Sequence, residues 1–212
     1  MSVISEIKEN KIVAVIREAD VQTIEPIVGA LYNGGVKVIE LTAETKNITA
    51  IIDKVVQSFG DRIIVGAGTV LDPETARSVI MAGAQFIVSP TLNLETIKLT
   101  KRYGVVCIPG SLTPTEILTA YEHGADMIKI FPANAFGPAY IKSIHGPLPS
   151  IPLMVTGGIN LENMNDYLNQ GGVAVGIGSN LVDCKKLKTE NDFSNLTKNA
   201  AKYVSKLKEV NV

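Results

Sequence analysis

The sequence predicts an α/β protein of the (β/α)8 TIM-barrel class, a single domain over residues 1–212 with an additional helix ahead of the first strand. Short runs rich in Val and Ile alternate with helical patterns from one end to the other, as expected of repeated βα units around a parallel sheet. About eight such units fill the 212 residues, with no linker or low-complexity stretch left over. Hydrophobic residues make up 46% of the chain, aromatics only 5%, and Trp is absent, so the core is built from aliphatic side chains that suit strands buried on both faces. A doubly wound open sheet is the alternative. It is disfavoured because the first strand runs into Arg17-Glu18-Ala19-Asp20 and not into a Gly-x-Gly-x-x-Gly turn.

Val3 to Glu9 is amphipathic and predicts the leading helix, and the β-branched run Ile12 to Ile16 predicts the first strand. Thr23 to Tyr32 carries apolar residues at helical spacing and stops at Gly34-Gly35. Val36 to Leu41 follows as the second strand, Ile48 to Phe59 as a helix, and Ile63 to Gly66 as the third strand. Asp72 before Pro73 reads as an N-cap with proline at the first helical position, and Gly83 ends that helix. Gln85 to Ser89 predicts the fourth strand, and Gly104 ends the helix before the fifth, Val105 to Ile108. Thr113 before Pro114 repeats the helix-start signal, with Gly124 as its stop. Met127 to Phe131, Leu153 to Thr156 and, after Gly171-Gly172, Val173 to Ile177 complete the strands.

A formal net charge of −1 provides no long-range field for nucleic acid or an anionic membrane, so any anionic ligand must be held by local groups. The first residues contain acids and no uninterrupted apolar segment, and no apolar run reaches the roughly 18 residues of a membrane span. A cytoplasmic protein is expected. Cys107 lies in an apolar run and Cys184 in a polar segment, without CxxC or ligand spacing, so neither a disulfide nor a metal site is expected.

The segment Asp126-Met127-Ile128-Lys129-Ile130-Phe131-Pro132 puts one lysine inside a strand of apolar residues. Apolar surroundings disfavour an ammonium and favour a nucleophilic amine, the group that forms a Schiff base. The competing reading is a strand-end lysine turned to solvent or paired with Asp126. In a barrel, residues at the C-terminal strand ends converge on one mouth. Those ends are Arg17, Glu40 with Thr42, Gly68-Thr69, Ser89-Pro90, Pro109-Gly110, Lys129 with Phe131, Thr156-Gly157-Gly158 and Gly178-Ser179.

Alternation puts Glu40 on the same face as Val38, where it is either a general acid/base beside Lys129 or half of a structural ion pair. The glycine turns after the seventh and eighth strands fall where many barrels hold phosphate, although each alone is also an ordinary tight βα turn. Arg17 either clamps a carboxylate or pairs on the surface with Glu18 or Asp20. Glu44 is expected to be solvated. His123 and His145 read as a helix-end and a loop residue, neither with metal partners at suitable spacing.

The segments Gly34 to Thr42, Val65 to Val70, Phe86 to Pro90, Ile108 to Gly110, Ile128 to Ala133 and Val155 to Ile159 together resemble the KDPG/KHG aldolase family. The resemblance covers nearly the whole barrel. It implies a class I aldolase that cleaves 2-dehydro-3-deoxy-6-phosphogluconate, and often 4-hydroxy-2-oxoglutarate, with no metal or organic cofactor and commonly as a homotrimer. It implies Lys129 as the Schiff-base lysine and Glu40 as general acid/base. Thr69 and the Pro90 region would line the pyruvyl pocket, with Gly157, Gly158 and Ser179 on the phosphate; Phe131 and Gly178, at the strand ends of the same rim, are further substrate-binding candidates. Thr156 matches a position that helps set stereochemical preference, which bears on the galactonate-derived epimer as an alternative substrate. Some family members carry arginine four residues after the catalytic glutamate, where this chain has Glu44; Arg17 is then the candidate for the carboxylate-binding charge. A cofactor-free sugar-phosphate isomerase or epimerase, and a catalytically silent sugar-phosphate sensor, are the readings outside the family.

Overall fold

Ser2 accepts a hydrogen bond from the Ser5 N–H and so caps α1 (Val3–Asn10). Its one buried residue, Ile7, plugs the floor of a barrel. The computed structural model describes residues 2–210; Met1, Asn211 and Val212, at the ends of the predicted domain, lie outside the described residues. The strands are β1 (Ile12–Ile16), β2 (Val38–Thr42), β3 (Ile64–Gly68), β4 (Phe86–Val88), β5 (Val106–Ile108), β6 (Gly110–Ser111), β7 (Ile128–Ile130), β8 (Leu153–Thr156) and β9 (Ala174–Ile177). All pairings are parallel, in the order β5-β4-β3-β2-β1-β9-β8-β7-β6.

The ring has nine strands where the sequence predicts eight, because the fifth is split at Pro109, which has no N–H to donate. β5 pairs with β4 and β6 with β7. The Pro109 carbonyl still accepts the Lys129 N–H at 2.9 Å and the Cys107 carbonyl the Asp126 N–H at 3.0 Å, which joins the two edges. β3 begins one residue later than expected and ends two later, at Gly68. Gly66, the last residue of the predicted strand, and Gly68, on the predicted rim, are both strand positions pressed by neighbours. A Cβ on Gly66 would lie 2.4 Å from the Phe86 ring, and one on Gly68 would lie 1.9 Å from Glu40 Oε1.

The helices are α2 (Ile24–Asn33), α3 (Ile48–Phe59), α4 (Pro73–Met81), α5 (Leu94–Arg102), α6 (Pro114–Glu122), α7 (Pro138–His145), α8 (Met164–Asn169) and α9 (Glu190–Lys206). The predicted starts hold. Asp72 caps α4 by accepting the Thr75 N–H at 2.6 Å, and Thr113 with Glu116 forms a full capping box on α6. α9, which the strand-and-glycine pattern does not predict, opens on a second capping box, Thr189 with Asp192. It packs against α2 so closely that a Cβ on Gly34 would sit 2.4 Å from Ala200 Cβ. No described helix is long and apolar enough to cross a membrane.

Strand alternation sorts the core into two shells. Ile12, Ala14, Ile16, Ile39, Leu41, Ile128, Ile130 and Val155 face the helices, whereas Val13, Val38, Phe86, Val88, Ile108, Met127, Met154 and Ala174 fill the lumen above Ile7. Lumen-facing positions beyond that apolar plug open at the C-terminal mouth.

Candidate active site

Glu40 continues the lumen face of β2 beyond Val38, and Lys129 that of β7 beyond Met127. In register, Glu40 lies between Val15 and Gly66, and Lys129 between Gly110 and Met154. Lys129 Nζ stands 3.9 Å from Glu40 Oε1, with side-chain exposures of 3% and 0%. Both Glu40 oxygens are buried and make no hydrogen bond to the described residues. Removing an ion from water costs on the order of several kcal/mol, so two such groups without further partners are expensive as scaffolding. Lys129 Nζ also lies 5.1 Å from the centre of the Phe131 ring.

Asp126 is not the partner of Lys129. Its carboxylate takes the Lys101 ammonium at 2.6 Å and the Cys107 N–H at 2.8 Å, which ties the start of the lysine strand to α5 and β5. Phe131 joins Arg17, Thr156, Gly157, Gly158, Gly178 and Ser179 around a cavity of about 260 Å³ at the mouth. Thr156 Oγ1 is buried there without a hydrogen-bond partner. Gly157 and Gly158 have φ of 106° and 72°, and a Cβ on Gly158 would meet Asn134 Cβ at 2.8 Å, so this turn admits only glycine comfortably. Asn180 donates to the Ile159 carbonyl at 2.7 Å and stitches the two glycine loops together.

Arg17 pairs with neither Glu18 nor Asp20. Its Nη1 donates to Glu44 Oε1 at 2.6 Å and to Thr69 Oγ1 at 3.5 Å, whereas Glu18 binds Lys185 at 2.8 Å. Glu44, expected to be solvated, is 44% exposed and also ion-paired with Arg17. Thr69 and Glu18 take left-handed φ values of 53° and 54°, an uncommon conformation for residues with a Cβ. Thr69 and Pro90, just past the ends of β3 and β4, do not line the 260 Å³ cavity; Thr69 adjoins it through Arg17, whose Nη1 lies 3.5 Å from the Thr69 Oγ1. Pro90 instead closes on Gly110, where a Cβ would lie 2.3 Å from the Pro90 carbonyl carbon.

His123 caps α6, with Nδ1 2.7 Å from the Thr119 carbonyl. His145 is the last residue of α7 and not a loop residue, with Nε2 3.1 Å from the Gly171 carbonyl. No cluster of three His, Cys, Asp or Glu suited to a metal occurs among the described residues. Burial pushes the Cys107 thiol up to about 12 and the Cys184 thiol up to about 11, so neither is a thiolate nucleophile near neutral pH. A larger cavity, about 450 Å³, lies at the opposite end of the barrel among Lys37, Asp61, Arg62 and Gln85, away from the buried Lys129 and Glu40.

Sequence reasoning placed Gly68 and Gly176 on or near the rim without seeing their use. Gly68 makes room for the Glu40 carboxylate, and a Cβ on Gly176 would lie 2.6 Å from Thr156 Oγ1. The legible signal was parity: each glycine shares the lumen face of its strand. Asn180 and Glu44 carried no such signal.

The family model "KDPG and KHG aldolase" matches residues 3–199. The chain is 39% identical over 155 residues to the 2-dehydro-3-deoxy-6-phosphogalactonate aldolase of Escherichia coli K12, covering 73% of this chain and 76% of that protein. It is 38% identical over 159 residues to the 2-dehydro-3-deoxy-phosphogluconate aldolase of Pseudomonas aeruginosa, covering 74% and 70%. Among solved structures, the KDPG aldolase of Legionella pneumophila with pyruvate captured at low pH as a covalent carbinolamine superposes with a TM-score of 0.84 at 30% identity, over 90% of this chain and 92% of that one. A buried lysine and glutamate facing one another at a barrel mouth, and a family model spanning almost the full length, agree: the chain belongs to the KDPG and KHG aldolase family.

Proposed function

We propose that the protein is a class I aldolase that cleaves 2-dehydro-3-deoxy-6-phosphogluconate to pyruvate and glyceraldehyde 3-phosphate, the carbon–carbon cleavage of the Entner–Doudoroff route. The observation that carries this reading is the buried Lys129–Glu40 pair, 3.9 Å apart, opening on a mouth whose other side is two glycine turns. The Lys129 amine adds to the C2 ketone, and Glu40 relays protons to the carbinolamine oxygen so that it leaves as water, giving a protonated imine. A separation of 3.9 Å allows that oxygen to stand between the two side chains. Removal of the C4 hydroxyl proton by Glu40, directly or through water, breaks the C3–C4 bond. The electron pair passes into the imine, glyceraldehyde 3-phosphate leaves, and an enamine remains. Protonation at C3 and hydrolysis release pyruvate and restore the lysine. The backbone of Gly157, Gly158 and Ser179 takes the distal phosphate, fixing the substrate's far end and favouring the reacting geometry. Thr69 and Pro90 lie on the pyruvyl side.

Thr156, whose buried hydroxyl has no hydrogen-bond partner among the described residues, is the side chain through which the C4 configuration is read, with the gluconate-derived substrate as the main reading and its galactonate-derived epimer as the alternative. Cleavage of 4-hydroxy-2-oxoglutarate to pyruvate and glyoxylate uses the same lysine and leaves the phosphate turns unfilled. The active form is a homotrimer, as the family resemblance implies, and acts in the cytoplasm. Borohydride reduction with pyruvate, followed by peptide mass mapping, tests the chemistry. A reduced pyruvyl adduct on Lys129, absent in Lys129→Met, is expected; no adduct from folded protein would remove the aldolase assignment and favour the isomerase or sensor reading. Cleavage rates on the two C4 epimers then test the preference.

A further inference from the structure

Arg17 is the one charged side chain among the described residues lining the 260 Å³ cavity, which it shares with Phe131, and Phe131 in turn lies beside Lys129. The Arg17 Nη1 also reaches Thr69 Oγ1 at 3.5 Å, on the side assigned to the pyruvyl group, so Arg17 is the cation available to the carboxylate of a ligand held at Lys129. That cation already has an anion. Glu44 Oε1 lies 2.6 Å from Arg17 Nη1, at or just below the short end of charge-assisted hydrogen bonds, and the same Nη1 reaches Thr69 Oγ1 at 3.5 Å. One guanidinium thus bridges the loops after β1, β2 and β3, and the arginine and glutamate charges cancel at the rim. We infer that Glu44 is an intramolecular competitor for the substrate carboxylate: it occupies Arg17 in the free protein, and the pyruvyl carboxylate must displace it or bind against its charge. Glu44 therefore tunes the mouth toward weaker binding of 2-keto acids and faster release of pyruvate.

The inference rests on the aldolase reading, and on Arg17 as the carboxylate contact. Its magnitude is bounded by exposure, since the side chains of Arg17 and Glu44 are 51% and 44% exposed and such pairs are screened by solvent. Glu44→Gln separates competition from simple orientation: the amide oxygen still accepts from Nη1, but the charge is gone. The measurement is the pyruvate concentration that half-saturates borohydride trapping at Lys129, at low and high salt, for wild type, Glu44→Gln, Arg17→Gln and the double variant.

Competition predicts that Glu44→Gln lowers the half-saturating concentration by about 2- to 5-fold at low salt and by less at high salt. Arg17→Gln is expected to raise it, and in that background Glu44→Gln to change nothing. An unchanged or raised value for Glu44→Gln, or the same decrease with and without Arg17, would overturn the competition while leaving the aldolase reading intact. Absence of any adduct in the wild type would remove both.

Discussion

Gly68 illustrates how much of the site depends on an atom that is missing. Glu40 Oε1, Cδ and Cγ lie 1.9, 2.5 and 2.6 Å from where a Cβ on Gly68 would stand, so the carboxylate lies against bare backbone. Gly68→Ala is expected to push Glu40 away from Lys129, to cost about 1–3 kcal/mol by overpacking, and to depress cleavage by about 100-fold or more. Chemical denaturation in a Glu40→Ala background checks the cause, because the stability penalty should vanish once nothing occupies the space; a penalty of equal size there would mean the clash is with something else. Lys129 was legible in the sequence because a lone ammonium-bearing side chain in an apolar strand is conspicuous, and Glu40 because it keeps parity with Val38. The Arg17–Glu44 pair was not, since its members are 27 residues apart and meet only because β1 and β2 are neighbours in the ring.

At the scale of elements, local chemistry and long-range packing divided the work. Helix starts were readable because a cap is written within four residues: Asp72-Pro73 and Thr113-Pro114 both begin helices as expected. Glu116 closes the α6 box by accepting the Leu112 and Thr113 N–H groups, and these bonds hold its carboxyl below its ordinary value. A depressed carboxyl contributes stability above its unfolded value that is lost as pH falls through the folded one. Glu116→Gln should therefore lower the melting temperature near neutral pH and flatten its fall with acid below about pH 4.5. An acid limb as steep as that of the wild type would assign the stabilisation to other groups. Strand ends were less readable. The break at Pro109 and the extension of β3 through Gly68 both follow from neighbouring strands, whose partners lie a full βα unit away.

Across the whole molecule, burial sets the alkaline limit. The Cys107 thiol is pushed from 9.0 up to about 12 by desolvation, and burial also raises Tyr140, Tyr167 and Tyr203. An unfolded chain loses these protons first, so it binds fewer protons than the folded one and stability falls as pH rises above about 9. Cys107→Val should flatten the fall of the melting temperature between about pH 9 and 10, while an unchanged slope would place the titration on Cys184 and the tyrosines. The sequence by itself determined the barrel, the order of its units, the capped starts of α4 and α6 and the lysine and glutamate at its mouth. Each of these is expressed in spacing, parity or a residue type at odds with its neighbours. Tertiary structure decided which strand broke to close the ring, which carboxylate met Arg17 and where Glu40 found room, because contacts between distant segments are set by which strands become neighbours, and no local pattern encodes that.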